Sequence, residues 1–153
     1  MALVTRDFLR LMLLVSCAVM TTAMPAGAQR STSESIQALL GDSARYRETI
    51  TAFQAAIETH DAAGVAALVS YPITVRIGGS NRTIKTPQEF VAGYDCIITP
   101  AIAAAVRDEP YGDMMVNAKG VMLGRGEVWI SGVCRDRACT KTDVRVIAIQ
   151  EVT

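Results

Sequence analysis

The sequence predicts an α+β fold in which N-terminal helices and one long central helix pack on a curved antiparallel sheet. Two observations carry that prediction. In the first two thirds, apolar residues recur at helical spacing: Tyr46, Ile50, Phe53 and Ile57, then Phe90, Tyr94, Ile97 and Ala101. From Met114 onward the chain turns to apolar and β-branched runs, cut by Gly120, Gly124 and Gly126.

Met1–Ala28 reads as a secretory signal peptide. Arg6 and Arg10 precede an apolar run from Leu11 to about Met20, and Ala26-Gly27-Ala28 is a small-x-small cleavage pattern. A rival reading takes Leu14-Val15-Ser16-Cys17 as a lipobox, with lipid attached at Cys17. Gln29–Gly41 is rich in Ser and Thr and reads as a flexible leader, with at most a helical turn at Ile36–Leu40. Residues 42–153 then form a single domain, a length that supports one core.

The first predicted helix runs from Asp42 to Thr59, with Arg45, Arg47, Glu48 and Glu58 off its apolar stripe. Asp61 caps a shorter helix, Ala62–Val69, by accepting from its free amides. Pro72 forces Tyr71 out of helical geometry. Ile73, Val75 and Ile77 alternate with polar residues as a half-buried strand does, Gly78–Asn81 turns, and Arg82–Lys85 returns. Thr86-Pro87-Gln88-Glu89 opens the central helix with a cap, a proline at the first position and a capping box. That helix extends to Asp108, broken or kinked at Thr99-Pro100. Strands follow at Met114–Ala118, Val121–Leu123, Glu127–Val133 and Val144–Glu151.

Fifteen basic residues balance fifteen acidic ones, and no basic stripe is visible, which excludes an ordinary nucleic-acid binder. Export leaves three cysteines, an odd number. Cys134 and Cys139 flank a four-residue gap between strand-like runs, so a disulfide would staple a hairpin end. The rival is a metal or redox pair, but this spacing without further ligands suits zinc poorly. Cys96 falls on or near the apolar face of the central helix and reads as a buried small hydrophobe.

With one histidine and no carboxylates at ligand spacing, neither a metal nor a cofactor is expected. Neither a nucleophile elbow nor a phosphate-binding glycine loop is present. His60 beside Asp61 invites a dyad, but neighbours at a helix start seldom point the same way, and a solvated turn is the plainer reading. Asp95 and Tyr94 are the candidate catalytic pair, Asp95 as a desolvated base, with the alternative that Tyr94 packs in the core and Asp95 meets an arginine or a backbone amide. Asn117 interrupts an apolar run and, if inward, needs a partner. Trp129 reads as a core anchor or the floor of a ligand cavity. Arg76 and Arg145 are expected to point outward.

Several local features resemble the nuclear transport factor two-like superfamily, which includes the SnoaL-like and ketosteroid isomerase-like proteins. They are the helix pair joined at Asp61 (Phe53–Ile57 through Asp61–Leu68), Tyr71-Pro72 leading into a strand, and Glu89-Phe90 with Tyr94-Asp95 on the third helix. Gly120–Gly124 and Gly126–Ile130 complete the pattern. The resemblance covers about Asp42 to Val152. It implies a cone-shaped, cystatin-like fold, with polar groups and a carboxylate base inside the cone in those members that are enzymes.

The reading that follows is a secreted or periplasmic noncatalytic protein that holds a small apolar ligand or a protein partner, with Tyr71, Tyr94, Asn117 and Trp129 at the binding site. The alternative is a small-molecule isomerase or dehydratase, with Asp95 as base and Tyr71, Tyr94 or Asn117 stabilising an oxyanion. A homodimer through the open sheet is compatible with either. No stable membrane insertion is expected after cleavage.

Overall fold

The computed structural model describes residues 30–152. The expected signal peptide, its expected cleavage site and Cys17 lie outside them. The fold is α+β: six helices, a six-stranded sheet and a 3-10 turn at Tyr111–Asp113. No helix among the described residues is long and apolar enough to cross a membrane.

Helix α1, Thr32–Leu39, lies where the sequence reading placed a flexible leader. Ser31 and Glu34 form a reciprocal capping box that satisfies the free amides of the first turn. Ile36 is fully buried, and the Thr32 hydroxyl donates to the Gly112 carbonyl at 2.9 Å. Burial of one isoleucine and one long-range hydrogen bond outweighs the polar composition, so this segment belongs to the domain.

Helix α2, Ser43–Glu58, buries Tyr46, Ile50, Phe53 and Ile57 as its periodicity predicts. Asp61 caps α3, Ala62–Ala67, by accepting from the Gly64 amide at 2.9 Å. The central helix is not continuous. It divides into α4, Pro87–Ala92, α5, Tyr94–Ile97, and α6, Pro100–Asp108. The break at Thr99-Pro100 follows the prediction. The break at Gly93 does not: glycine holds a helix weakly, and the Gly93 amide closes the first segment on Glu89 and Phe90.

The strands are β1, Ile73–Ile77; β2, Ser80–Ile84; β3, Met115–Asn117; β4, Gly120–Leu123; β5, Val128–Cys134; and β6, Thr142–Gln150. Their order across the sheet is β2-β1-β6-β5-β4-β3. The sheet is mixed, not wholly antiparallel, because β6 runs parallel to β1 and antiparallel to β5. The helices cover one face, and the core lies between them and inward residues such as Val75, Val121, Leu123, Ile130 and Ile149. Phe53, Phe90, Ile97 and Ile102, all at 0–1% exposure, belong to this core.

Strand β6 contains a bulge. Trp129 pairs with Ala148, but Ile130 pairs with Val146, so Ile147 is an extra residue without a partner. Val146 and Ile149 both reach the core, while Ile147 and Ala148 both remain outside it. Beyond this strand pair, the Cys134–Cys139 disulfide closes the end of the hairpin as the spacing predicts. It indicates an oxidising compartment outside the cytosol.

Candidate functional site

The candidate residues fall into two groups, one among the helices and the other on the sheet. His60 follows α2 with φ 55°, a left-handed conformation. That turn aims its ring at α5, where Nε2 lies 3.1 Å from Asp95 Oδ1. The His60 ring also meets Tyr94 edge to face at 4.8 Å, and Tyr94 continues through Phe90 to Tyr71 with centroids 6.4 Å apart at each step. Asp95 therefore pairs with His60, not with the arginine or backbone amide expected of it. Its side chain is 82% exposed, so the desolvation required of a carboxylate base is missing.

Tyr94 is 4% exposed, and its hydroxyl has no hydrogen-bond partner among the described residues. Burial pushes its acidity to higher pH, and the carboxylates of Asp95 and Asp61 add to the effect. Tyr71 is half-buried. Its hydroxyl donates to the Ala66 carbonyl at 3.0 Å, and burial raises its pKa to about 12. That hydroxyl is engaged in holding the corner before β1. Cys96 is exposed, not buried: Tyr94 and Ile97 take the inward positions of the short α5 and leave Cys96 outside.

Strand parity places Asn117 and Trp129 on the sheet face away from the helices. Met115 pairs with Met122, Met122 with Trp129, and Trp129 with Ala148, which makes one row across four strands. Val128 and Ile130 are the core residues, and Trp129 between them is half-buried on the opposite side. It is therefore not a core anchor. Asn117 shares the outward parity of Met115, and its Oδ1 accepts from the Lys119 amide at 2.8 Å, closing the β3–β4 turn. Tyr94, Asp95 and Asn117 thus do not converge. The sequence shows runs of consecutive apolar residues at both positions, and such runs conceal parity.

The sequence reading missed a pair of carboxylates. Glu109, which caps the end of α6, accepts from the Gly124 amide, and Glu127 accepts from the next amide, that of Arg125, at 2.5 Å. Both carboxylates thus hold one turn between β4 and β5. Burial raises the Glu109 pKa above its ordinary 4.5, and Asp113 and Glu127 add to that, against the opposing pull of the Gly124 hydrogen bond. A raised carboxyl pKa means that the folded state holds this proton more tightly than the unfolded chain. Its stabilising contribution is then complete below about pH 4.5 and is lost as pH rises through the raised value. Glu109→Gln keeps an acceptor for Gly124 and removes the charge. The variant is expected to be more stable than the parent at neutral pH and to lose this slope, as read from urea midpoints between acid and neutral pH. An unchanged slope would assign the effect elsewhere.

Among the described residues no group of His, Cys, Asp and Glu is arranged to hold a metal ion. No family model, curated protein or solved structure matches the chain.

Proposed function

We propose that this protein is a noncatalytic binding module of the periplasm or the cell exterior, and that it takes a protein partner on the uncovered face of its sheet. The supporting observation is the contrast between the two faces. The helix-covered face is filled by its own side chains, whereas the other carries the Met115–Met122–Trp129–Ala148 row, with Ile147 added by the bulge. Met115 is 47% exposed and Ile147 38%. Methionine and tryptophan favour interface cores, and a run of apolar side chains across four strands is a surface that water solvates poorly. The order of helices and strands supports membership of the nuclear transport factor two-like superfamily, and the disulfide supports export.

A photo-cross-linking side chain tests this reading when placed at Met115 and, as a control, at Val91, which is comparably exposed at 42% on α4. In the exporting cell, the Met115 probe is expected to capture a discrete partner that the Val91 probe does not. Equal capture at both positions would remove the sheet face as the site.

The 3.1 Å approach of His60 to Asp95 beside a buried tyrosine hydroxyl favours a second reading, proton transfer on a small carbonyl compound with His60 as the base and Asp95 orienting its ring. In that case the protein would catalyse deuterium uptake into a cyclic ketone, and Asp95→Asn would reduce the rate by at least about 100-fold without moving the melting temperature. No uptake by the parent protein, or equal rates, would leave the pair a surface contact.

A further inference from the structure

Resting on the sheet-face reading above, we infer that the partner presents an acidic polypeptide segment: its apolar side chains lie along the Met115–Met122–Trp129–Ala148 row and its carboxylates reach the cations at the margins of that row. The row itself contains no charged side chain. Arg76 pairs with Gln150 on the outward side of β1, and Arg145 lies opposite Ser131 on β6. Lys119 and Arg125 occupy the turns at the two ends of β4.

The acids of the same region are held in ion pairs or in their own turns, and each keeps its charge. Asp143 takes both Arg135, at 3.0 Å, and Arg145, at 3.3 Å. Asp136 accepts from Thr140 and Lys141 within its own turn. Glu151 accepts from the Gly78 amide at 2.7 Å, and Glu127 is buried against Arg125. Among the described residues, Arg76 and Lys119 form no ion pair. The face is thus an apolar strip with two cations outside any ion pair at its borders, although the chain as a whole is neutral.

A second copy of this chain fits the strip poorly, because it brings the same cations and holds its nearby carboxylates within its own turns and ion pairs. Insertion into lipid calls for side chains that protrude from the surface, whereas Met122 and Trp129 are half-buried within the face. A polypeptide satisfies both conditions, since it can supply apolar groups and carboxylates at fixed spacing. Four strands at about 4.8 Å place the row at roughly 14 Å, the length of about ten helical residues.

Trp129 is the only tryptophan, so its emission reports on the row directly. The probes are two helical peptides of roughly 14 residues with the same leucine and phenylalanine stripe, one bordered by Glu and the other by Lys. The Glu peptide is expected to shift Trp129 emission to the blue and to bind at least about 10-fold more tightly than the Lys peptide in low salt, with the gap closing in about 1 M salt. Arg76→Gln with Lys119→Gln, both at exposed positions, should close the same gap without moving the melting temperature.

Equal binding of the two peptides overturns the acidic assignment and leaves the sheet face standing as a site. A blue shift with anionic phosphatidylglycerol vesicles but with neither peptide overturns it in favour of a membrane surface. A shift that follows protein concentration alone overturns it in favour of self-association. Emission that responds to none of these overturns this inference and the sheet-face reading together.

Discussion

Gly120→Ala is expected to destabilise the fold by roughly 4 kcal/mol, combining about 1–3 for a strained backbone and about 1–3 for overpacking. Gly120 opens β4 at φ 140°, a conformation that side chains rarely adopt. A Cβ there would lie 2.3 Å from the Ile130 carbonyl oxygen and 3.0 Å from Ser131 Cβ. The first of these neighbours is backbone in the adjacent strand and cannot swing aside, so the β4–β5 pairing itself would have to yield. Gly112→Ala is the matched control, because nothing lies within 4 Å of its missing Cβ. That substitution should stay within about 0.5 kcal/mol. Urea denaturation of both variants decides the matter, and similar midpoints would mean that the two strands approach less closely here than described.

Ile36→Ala is expected to cost about 3 kcal/mol, in the range for deleting a buried isoleucine. The side chain is at 0% exposure and joins α1 to the same core as Phe53 and Ile102. Leu39, three residues on in the same helix, is 53% exposed, and Leu39→Ala should cost no more than about 0.5 kcal/mol. If both substitutions were silent, α1 would be an appendage and not part of the domain.

That comparison bears on why this helix was illegible. Ser- and Thr-rich composition signals a linker, yet Ser31-x-x-Glu34 is itself a helix-start signature, followed by an apolar residue at Ile36. The signal was in the sequence, but composition masked it. Gly93 is different. Glycine often survives inside helices, and the stripe through Phe90, Tyr94 and Ile97 carries straight across it, so nothing local announces the break.

The parts of the fold that local pattern controls were legible. The α2 stripe, the Asp61 cap, the alternating β1 and the disulfide each depend on residues close in sequence. Parity at Asn117 and Trp129 was not, because Met114-Met115-Val116 and Val128-Trp129-Ile130 are apolar on both sides, and only pairing decides which side faces the helices. The approach of His60 to Asp95 likewise requires two elements far apart in the chain to meet at a turn with positive φ. The parallel partnership of β1 with β6 had no local signature at all.

The same partnership governs how the molecule is made. β6 lies between β1 and β5 and touches both, yet it follows every other described strand in the chain. During synthesis, the β1–β2 hairpin and the β3–β5 meander emerge as two separate pieces with no common neighbour. Each exposes an unsatisfied strand edge until Thr142–Gln150 arrives to join them. A nascent chain that lacks this segment therefore stays open, a condition that makes early release hazardous. Truncation ahead of Thr142 removes the keystone of the sheet, not its fringe.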